Sequence, residues 1–232
     1  RSRGLGDVYK RQQRGGIALV PHFNLMEALS FIPLLSPSFP ELGNIYRPLD
    51  NKRLDAWVRQ SRERFGVKLL SRREGYRKAI SMIRGGGWVS IPFDQNAGDV
   101  GALITSFGRV ASSTELPQIL FRRLQVPAVI VFPKRISFWK AEFCVEPFAQ
   151  ATDEVNLTLR VNRWLENYLP MHEDQIGDWL WIHNRWKSQL APRRRLRLQN
   201  RQNLLEEDRI DRGLTELPKR AQFWIRTPNW LG

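Results

Sequence analysis

"GIALVPH" (16–22) is an unbroken apolar run that opens at the Gly15–Gly16 pair and ends on a histidine. A run of this length bounded by turn signals reads as a strand buried on both faces. The stretches "WVSIPF" (88–93) and "PAVIVF" (127–132) carry the same signature. "NIYR" (44–47), "KLL" (68–70) and "EFCVEPF" (142–148) read as further strands. Helical stretches lie between them, at 50–66, 74–87, 113–124 and 153–169, and a helix can start at Asn24. In the first, Leu54, Trp57, Val58, Ser61 and Phe65 share one face, Asp50 or Asn51 caps the start, and Gly66 ends it. In 113–124, Ser113 or Thr114 is the cap and Pro117 sits in the first turn. A glycine-containing loop runs through Gly98, Gly101 and Gly108. Strands alternating with helices predict an α/β fold, with a mixed, largely parallel sheet flanked by helices. Ligands of such sheets bind at the carboxyl ends of the strands. His22, Arg47 and the Asp94–Gln95 pair all fall at such ends.

The chain has 232 residues, which suits one sizeable domain plus extras, and 42% of them are apolar, enough for a core. The formal net charge is +14 and the pI about 10.8. So basic a chain seeks acidic partners: nucleic acid, an anionic membrane surface, a phosphorylated substrate or an acidic carrier protein. The single cysteine, Cys144, excludes an intramolecular disulfide and a cysteine-cluster metal site, and suggests a reducing compartment. The three histidines, His22, His172 and His183, have no metal-ligand spacing, so no metal is expected. No apolar run is long enough to span a bilayer. The candidate, "ALSFIPLLSPSFP" (28–40), is broken by Pro33, Pro37 and Pro40.

The two ends differ from the middle. "RSRGLGDVYKRQ" (1–12) has no hydrophobic periodicity and resembles a translated sequencing adapter. It is expected to lie outside the fold, with the native start, and any anchor before Gly15, missing. Residues 13–190 form the expected main domain. Residues 191–220 read as a charged, partly helical linker with a basic cluster at Arg193, Arg194, Arg195 and Arg197. "QFWIRTPNWLG" (222–232) turns apolar and reads as the start of another domain, spanning 221–232.

His22 and Glu27 are five apart, a spacing that would keep them from meeting within one helix. They can meet if the histidine lies in the strand-to-helix turn and the glutamate in the helix's first turn. Two readings of Glu27 stand. With Asn24 as N-cap, Glu27 occupies the capping-box position and can bond the backbone of Asn24. Equally, its carboxylate can accept a hydrogen bond from one nitrogen of His22, set the tautomer, and leave the other nitrogen to act as general base.

"HFNLME" (22–27), "YRPLDN" (46–51), "DQNAG" (94–98), "SFGR" (106–109) and "WLWIHNRWK" (179–187) occur in that order along the chain. Together, over roughly residues 15–190, they resemble the bacterial lipid A biosynthesis lauroyl/myristoyl acyltransferases, within the wider His-x4-Asp/Glu glycerolipid-type acyltransferases. Mycobacterial-type phosphatidylinositol mannoside acyltransferases are similar. Asn24-Leu25-Met26 stands where many relatives have Gly-Asn-Trp. The resemblance implies that His22 and Glu27 are catalytic, and that Arg47, Asp94, Gln95 and Arg109 bind substrate. It implies acyl transfer without a covalent acyl-enzyme or cofactor, from an acidic acyl carrier protein to a phosphorylated, Kdo-bearing lipid A precursor. The site of action would be the cytoplasmic face of the inner membrane, an anionic surface. Another glycolipid or a lysophospholipid is the alternative acceptor. A basic nucleic-acid-binding module is the alternative of another class, and no nucleic-acid motif supports it.

Several residues remain open on this reading. Arg122, Arg123, Lys134 and Arg135 are candidates for docking or plain solvated surface. Trp179, Trp181 and Trp186 suit either a membrane interface or packing on the sheet's flank. His183 lacks an acid at a comparable offset on its C-terminal side, which ranks it below His22. Cys144 reads as a core residue. "IRTPNWLG" (225–232) resembles the first strand and turn of ADP-heptose:lipopolysaccharide heptosyltransferases, which suggests a fusion cut short.

Overall fold

Ile17 and Leu19 are fully buried and Val20 is 1% exposed. β1 (Gly16–Val20) accordingly lies inside a six-stranded sheet of order β3-β2-β4-β1-β7-β8. The computed structural model describes residues 15–35, 38–71, 75–172, 176–180, 183–187 and 204–213. Residues 1–12, the basic cluster at 193–197, Trp181 and residues 221–232, expected as the start of another domain, lie outside them. The described residues form two compact units: Leu116–Val155 joins those up to Pro92, and Phe93–Glu115 joins those from Asn156 on.

The first unit holds the large sheet. β2 (Leu42–Tyr46), β3 (Lys68–Ser71), β4 (Trp88–Pro92) and β1 run parallel, as does β7 (Ala128–Ser137) beside β1. β8 (Lys140–Ala149) returns antiparallel on β7. The sheet is therefore mixed and largely parallel, as its apolar strands predict. β1 approaches its neighbours closely at its start: a Cβ on Gly16 would lie 2.6 Å from the Trp88 ring and 2.9 Å from the Pro127 carbonyl oxygen. Glycine is what this crossing allows.

One face of the sheet carries Ala18, Val20, Trp88, Val129 and Val131, covered by Leu29 and Ile32. Each such buried Leu or Ile contributes about 1.5–3 kcal/mol. Leu29 and Ile32 come from Met26–Leu35, a 3-10 helix with Pro33 inside it. The helix expected to start at Asn24 is thus the tighter type, and proline accounts for part of that, since it donates no backbone hydrogen bond. α1 (Lys52–Glu63) is capped by Asn51, whose side chain accepts from the amides of Arg53 and Leu54 at 3.0 and 3.1 Å. Gly66 lies just beyond it at φ +96°. The caps match the sequence reading, but the expected apolar face is not sealed: Leu54 is 49% and Trp57 64% exposed. α2 (Gly75–Arg84) and α3 (Leu116–Leu124) pack against β4 and β1.

The second unit corrects the reading of residues 98–113. The expected glycine loop is an antiparallel hairpin, β5 (Ala102–Ser106) and β6 (Arg109–Ser113). Phe107 and Gly108 make its turn at φ +48° and +69°. Two positive angles match the twist of a tight hairpin, and Asn-Gly or Asp-Gly would normally announce it. Here a phenylalanine occupies the first position, so the signal was masked. Ser113, one of the two expected helix caps, ends β6 instead. α4 (Leu157–Met171) packs on β5, and so does α5 (Leu205–Asp211).

α5 falls inside the stretch expected as a charged linker. Its Asp208 is 1% exposed and accepts from the Thr105 amide at 2.9 Å, from Arg163 Nη2 at 2.6 Å and from Arg212 Nε at 3.0 Å. Arg212 Nη1 also meets Glu166 at 2.8 Å. Charges that look solvated in a linear reading are here desolvated and paired.

Candidate active site

β1 ends at Val20 and the chain turns at once. The Phe23 amide donates to the Pro21 carbonyl at 2.9 Å, which bends the backbone at His22. Pro21 is buried, and Phe23 is 3% exposed with its ring edge-on to Phe132, centroids 5.5 Å apart. His22 itself is half-buried. Buried neighbours on both sides thus hold a polar ring at the strand's carboxyl end, the place where an open parallel sheet presents ligands. The Met26 amide then donates to the Phe23 carbonyl at 2.9 Å and starts the 3-10 turn that carries Glu27.

Glu27 is met from across the cleft by α1. Arg62 Nε donates to Glu27 Oε2 at 2.8 Å, and Arg62 Nη2 donates to Glu27 Oε1. A two-pronged guanidinium fixes the plane of a carboxylate as a point charge cannot. Sequence reading missed Arg62. It lies 35 residues from Glu27, and only the fold of β2 and α1 brings it back.

The ion pair borders a cleft at the carboxyl end of the sheet, lined also by Ser30, Asn44, Tyr46 and Ser90, over an apolar floor that includes Val20 and Leu69. Ser90 Oγ donates to Asn44 Oδ1 at 2.7 Å. Arg47 comes directly after β2 and is exposed. Its loop is tied to α1: the Leu49 amide donates to Asp55 Oδ1 at 2.8 Å, and Arg59 Nη1 donates to the Tyr46 hydroxyl at 3.1 Å. His22, Glu27 and Arg47 belong to one unit.

Asp94, Gln95 and Arg109 belong to the other unit. Asp94 is 2% exposed and accepts from Trp179 Nε1 at 2.7 Å. The Gln95 carbonyl accepts from Arg185 Nη1 at 2.6 Å. Arg185 is 1% exposed. It also donates to the Ser112 carbonyl at 2.7 Å, to Asn162 Oδ1 at 2.9 Å and to Ser113 Oγ. Burial pushes its pKa down to about 10, opposed by the negative charges of Asp94 and Glu166, so it stays a cation at neutral pH. Arg109 is exposed, with its guanidinium 5.6 Å from the Trp186 ring centre.

The tryptophan-rich segment packs inside the second unit at its described positions. Trp179 is 5% exposed, lies 5.6 Å from Phe107 and meets Trp186 edge-on at 6.4 Å. Trp186 Nε1 donates to the Ser106 carbonyl at 3.0 Å. For these two rings the structure shows the packing alternative. His183 Nε2 accepts the Asn96 amide at 2.8 Å. That nitrogen is committed to the backbone.

Cys144 faces Phe132 across the hairpin and is half-buried. Burial pushes its thiol up, and Glu142 and Glu146 push it further. A thiol shifted this way is a poor nucleophile. Cys144 should accordingly react with a disulfide reagent at pH 7.5 at least about tenfold more slowly in the folded chain than in urea. Cys144→Ala should leave turnover unchanged.

Among the described residues no group of three or more His, Cys, Asp or Glu side chains could hold a metal ion, and no helix is long and apolar enough to cross a membrane. A search of curated proteins returned no match. The sequence model of the bacterial lipid A biosynthesis acyltransferases matches residues 3–188, well over half of the chain. The chain belongs to the bacterial lipid A biosynthesis acyltransferase family.

Proposed function

We propose that this chain moves a fatty acyl group from the thioester of an acyl carrier protein to a hydroxyl on an acyl chain of a Kdo-bearing lipid A precursor, with His22 as general base. The reaction takes place at the cytoplasmic face of the inner membrane. One observation carries the reading. A histidine held by buried neighbours at the carboxyl end of a central strand stands five residues from a glutamate whose carboxylate is clamped by Arg62.

One ring nitrogen of His22 takes the hydroxyl proton as the oxygen attacks the thioester carbonyl. The C–O bond forms, negative charge collects on the carbonyl oxygen, and that charge needs donors; Arg47 or backbone N–H groups supply them. The intermediate collapses with loss of the carrier's thiolate, which takes the proton back from the imidazolium. Glu27 orients the ring and stabilises its charged form, and Arg62 holds Glu27 in place. The net charge of +14 suits both an acidic carrier and a phosphorylated acceptor. Asp94 holds the Trp179 indole within the second unit, and the Gln95 carbonyl holds Arg185 there.

Glu27→Gln tests this through the split between activity and stability. The Glu27 side chain is 63% exposed, so its ion pair contributes about 0–1 kcal/mol to stability. Melting should move little, while kcat for transfer from acyl carrier protein should fall about 10²-fold. Arg62→Lys should lose part of that, because one ammonium cannot grip both oxygens. A Glu27→Gln chain that melts early but keeps its turnover per folded molecule would leave Glu27 with a merely structural job.

A further inference from the structure

The β7–β8 hairpin ends in an aromatic turn. Ser137 pairs with Lys140, so Phe138 and Trp139 alone make the apex. They are 74% and 92% exposed, and their rings meet edge-on with centroids 4.6 Å apart. Ile136, at the register shift between Arg135 and Ser137, is 46% exposed. Tight turns favour glycine, asparagine and aspartate. Two large rings in water at such a turn gain nothing from the fold of their own unit. The apex is nonetheless well built: Arg135 Nη1 donates to the Phe138 carbonyl at 2.9 Å.

Cations stand behind the rings. Lys134, Arg135 and Lys140 flank the apex, against one carboxylate, Glu142, which sits opposite Lys134. Moving from the tip toward the sheet, the surface is first aromatic and then positive. A bilayer offers the reverse order from outside inward: anionic headgroups, then hydrocarbon. Aromatic rings settle at that boundary, and basic side chains reach back to the phosphates. An acidic protein surface would call for cations foremost.

We propose that the Phe138–Trp139 turn is an insertion finger for an anionic lipid bilayer, with Lys134, Arg135 and Lys140 as its headgroup contacts. It deepens the membrane-side reading proposed above by naming the contact surface. A folded transferase anchored there brings its cleft to the plane where a lipid acceptor lies.

The test is partition of the full chain onto phosphatidylcholine vesicles with and without phosphatidylglycerol. Phosphatidylglycerol should strengthen binding. Phe138→Ser with Trp139→Ser should weaken it at least about tenfold with melting unchanged. Lys134→Gln with Lys140→Gln should weaken it at low salt only, since salt screens the headgroup term. Should the double tip variant melt early, Trp139→Ser alone gives the same reading. Partition within about twofold of the parent in a folded tip variant overturns the proposal. Loss of binding to acyl carrier protein with vesicle partition intact overturns it too, in favour of a protein-docking surface. Transfer to a detergent-dispersed acceptor should be unchanged in the tip variant. His22→Ala should leave vesicle binding intact, so the finger and the catalytic reading fail separately.

Discussion

His22→Ala should lose about 10³-fold in kcat for acyl transfer and should melt as the parent does. The size reflects the step removed. A lipid hydroxyl is a poor nucleophile at neutral pH, and the other two histidines are each engaged elsewhere. His183 has Nε2 committed to the Asn96 amide. His172 uses Nδ1 against the Tyr168 carbonyl at 2.9 Å, with its ring stacked on Tyr168. Stability should hold because the site's backbone is held by its own hydrogen bonds and by Phe23 packed on Phe132. His22→Gln sharpens the test, since it keeps polarity and approximate volume but cannot take a proton. Turnover within tenfold of the parent in either variant would remove His22 from the mechanism.

Arg185→Met should destabilise the second unit by roughly 3–5 kcal/mol, read as a shift in urea midpoint. The guanidinium bonds Gln95, Ser112, Ser113 and Asn162 and offsets the charge of Asp94. Removing it strands those acceptors in a site from which water is excluded, and each stranded group carries its own desolvation cost. Arg185→Lys should recover only part of the loss, because one ammonium cannot span the fork. An exposed control such as Arg64→Met should stay within about 0.5 kcal/mol. If Arg185→Met costs less than about 1 kcal/mol, the network is ornamental. The same experiment separates two roles for Asp94. If Asp94 is structural, Asp94→Asn should affect melting before it affects KM.

Much of this molecule was legible in one dimension. Apolar runs at 16–22, 88–93 and 127–132 announced strands buried on both faces, because a residue's hydrophobicity does not depend on its partners. Asn51 and Gly66 marked the ends of α1 because capping is a local affair. His22 could be singled out because a strand end and the turn after it are local too. Other features needed the third dimension. Arg62 reaches Glu27 only because β2 and α1 fold back over the 3-10 turn. The β5–β6 hairpin was hidden because Phe107 takes a left-handed turn position that Asn or Gly usually fills, held by its packing against Trp179 and Trp186. Asp94, Arg185 and Asp208 look like surface charges in a string of letters, yet they are buried. Burial of a charge is decided by partners far away in sequence, and a linear pattern does not record distance in space. The sequence by itself therefore determined the fold class and the residues at the strand ends. Only the tertiary structure decided which charges face the cleft and which hold the second unit together.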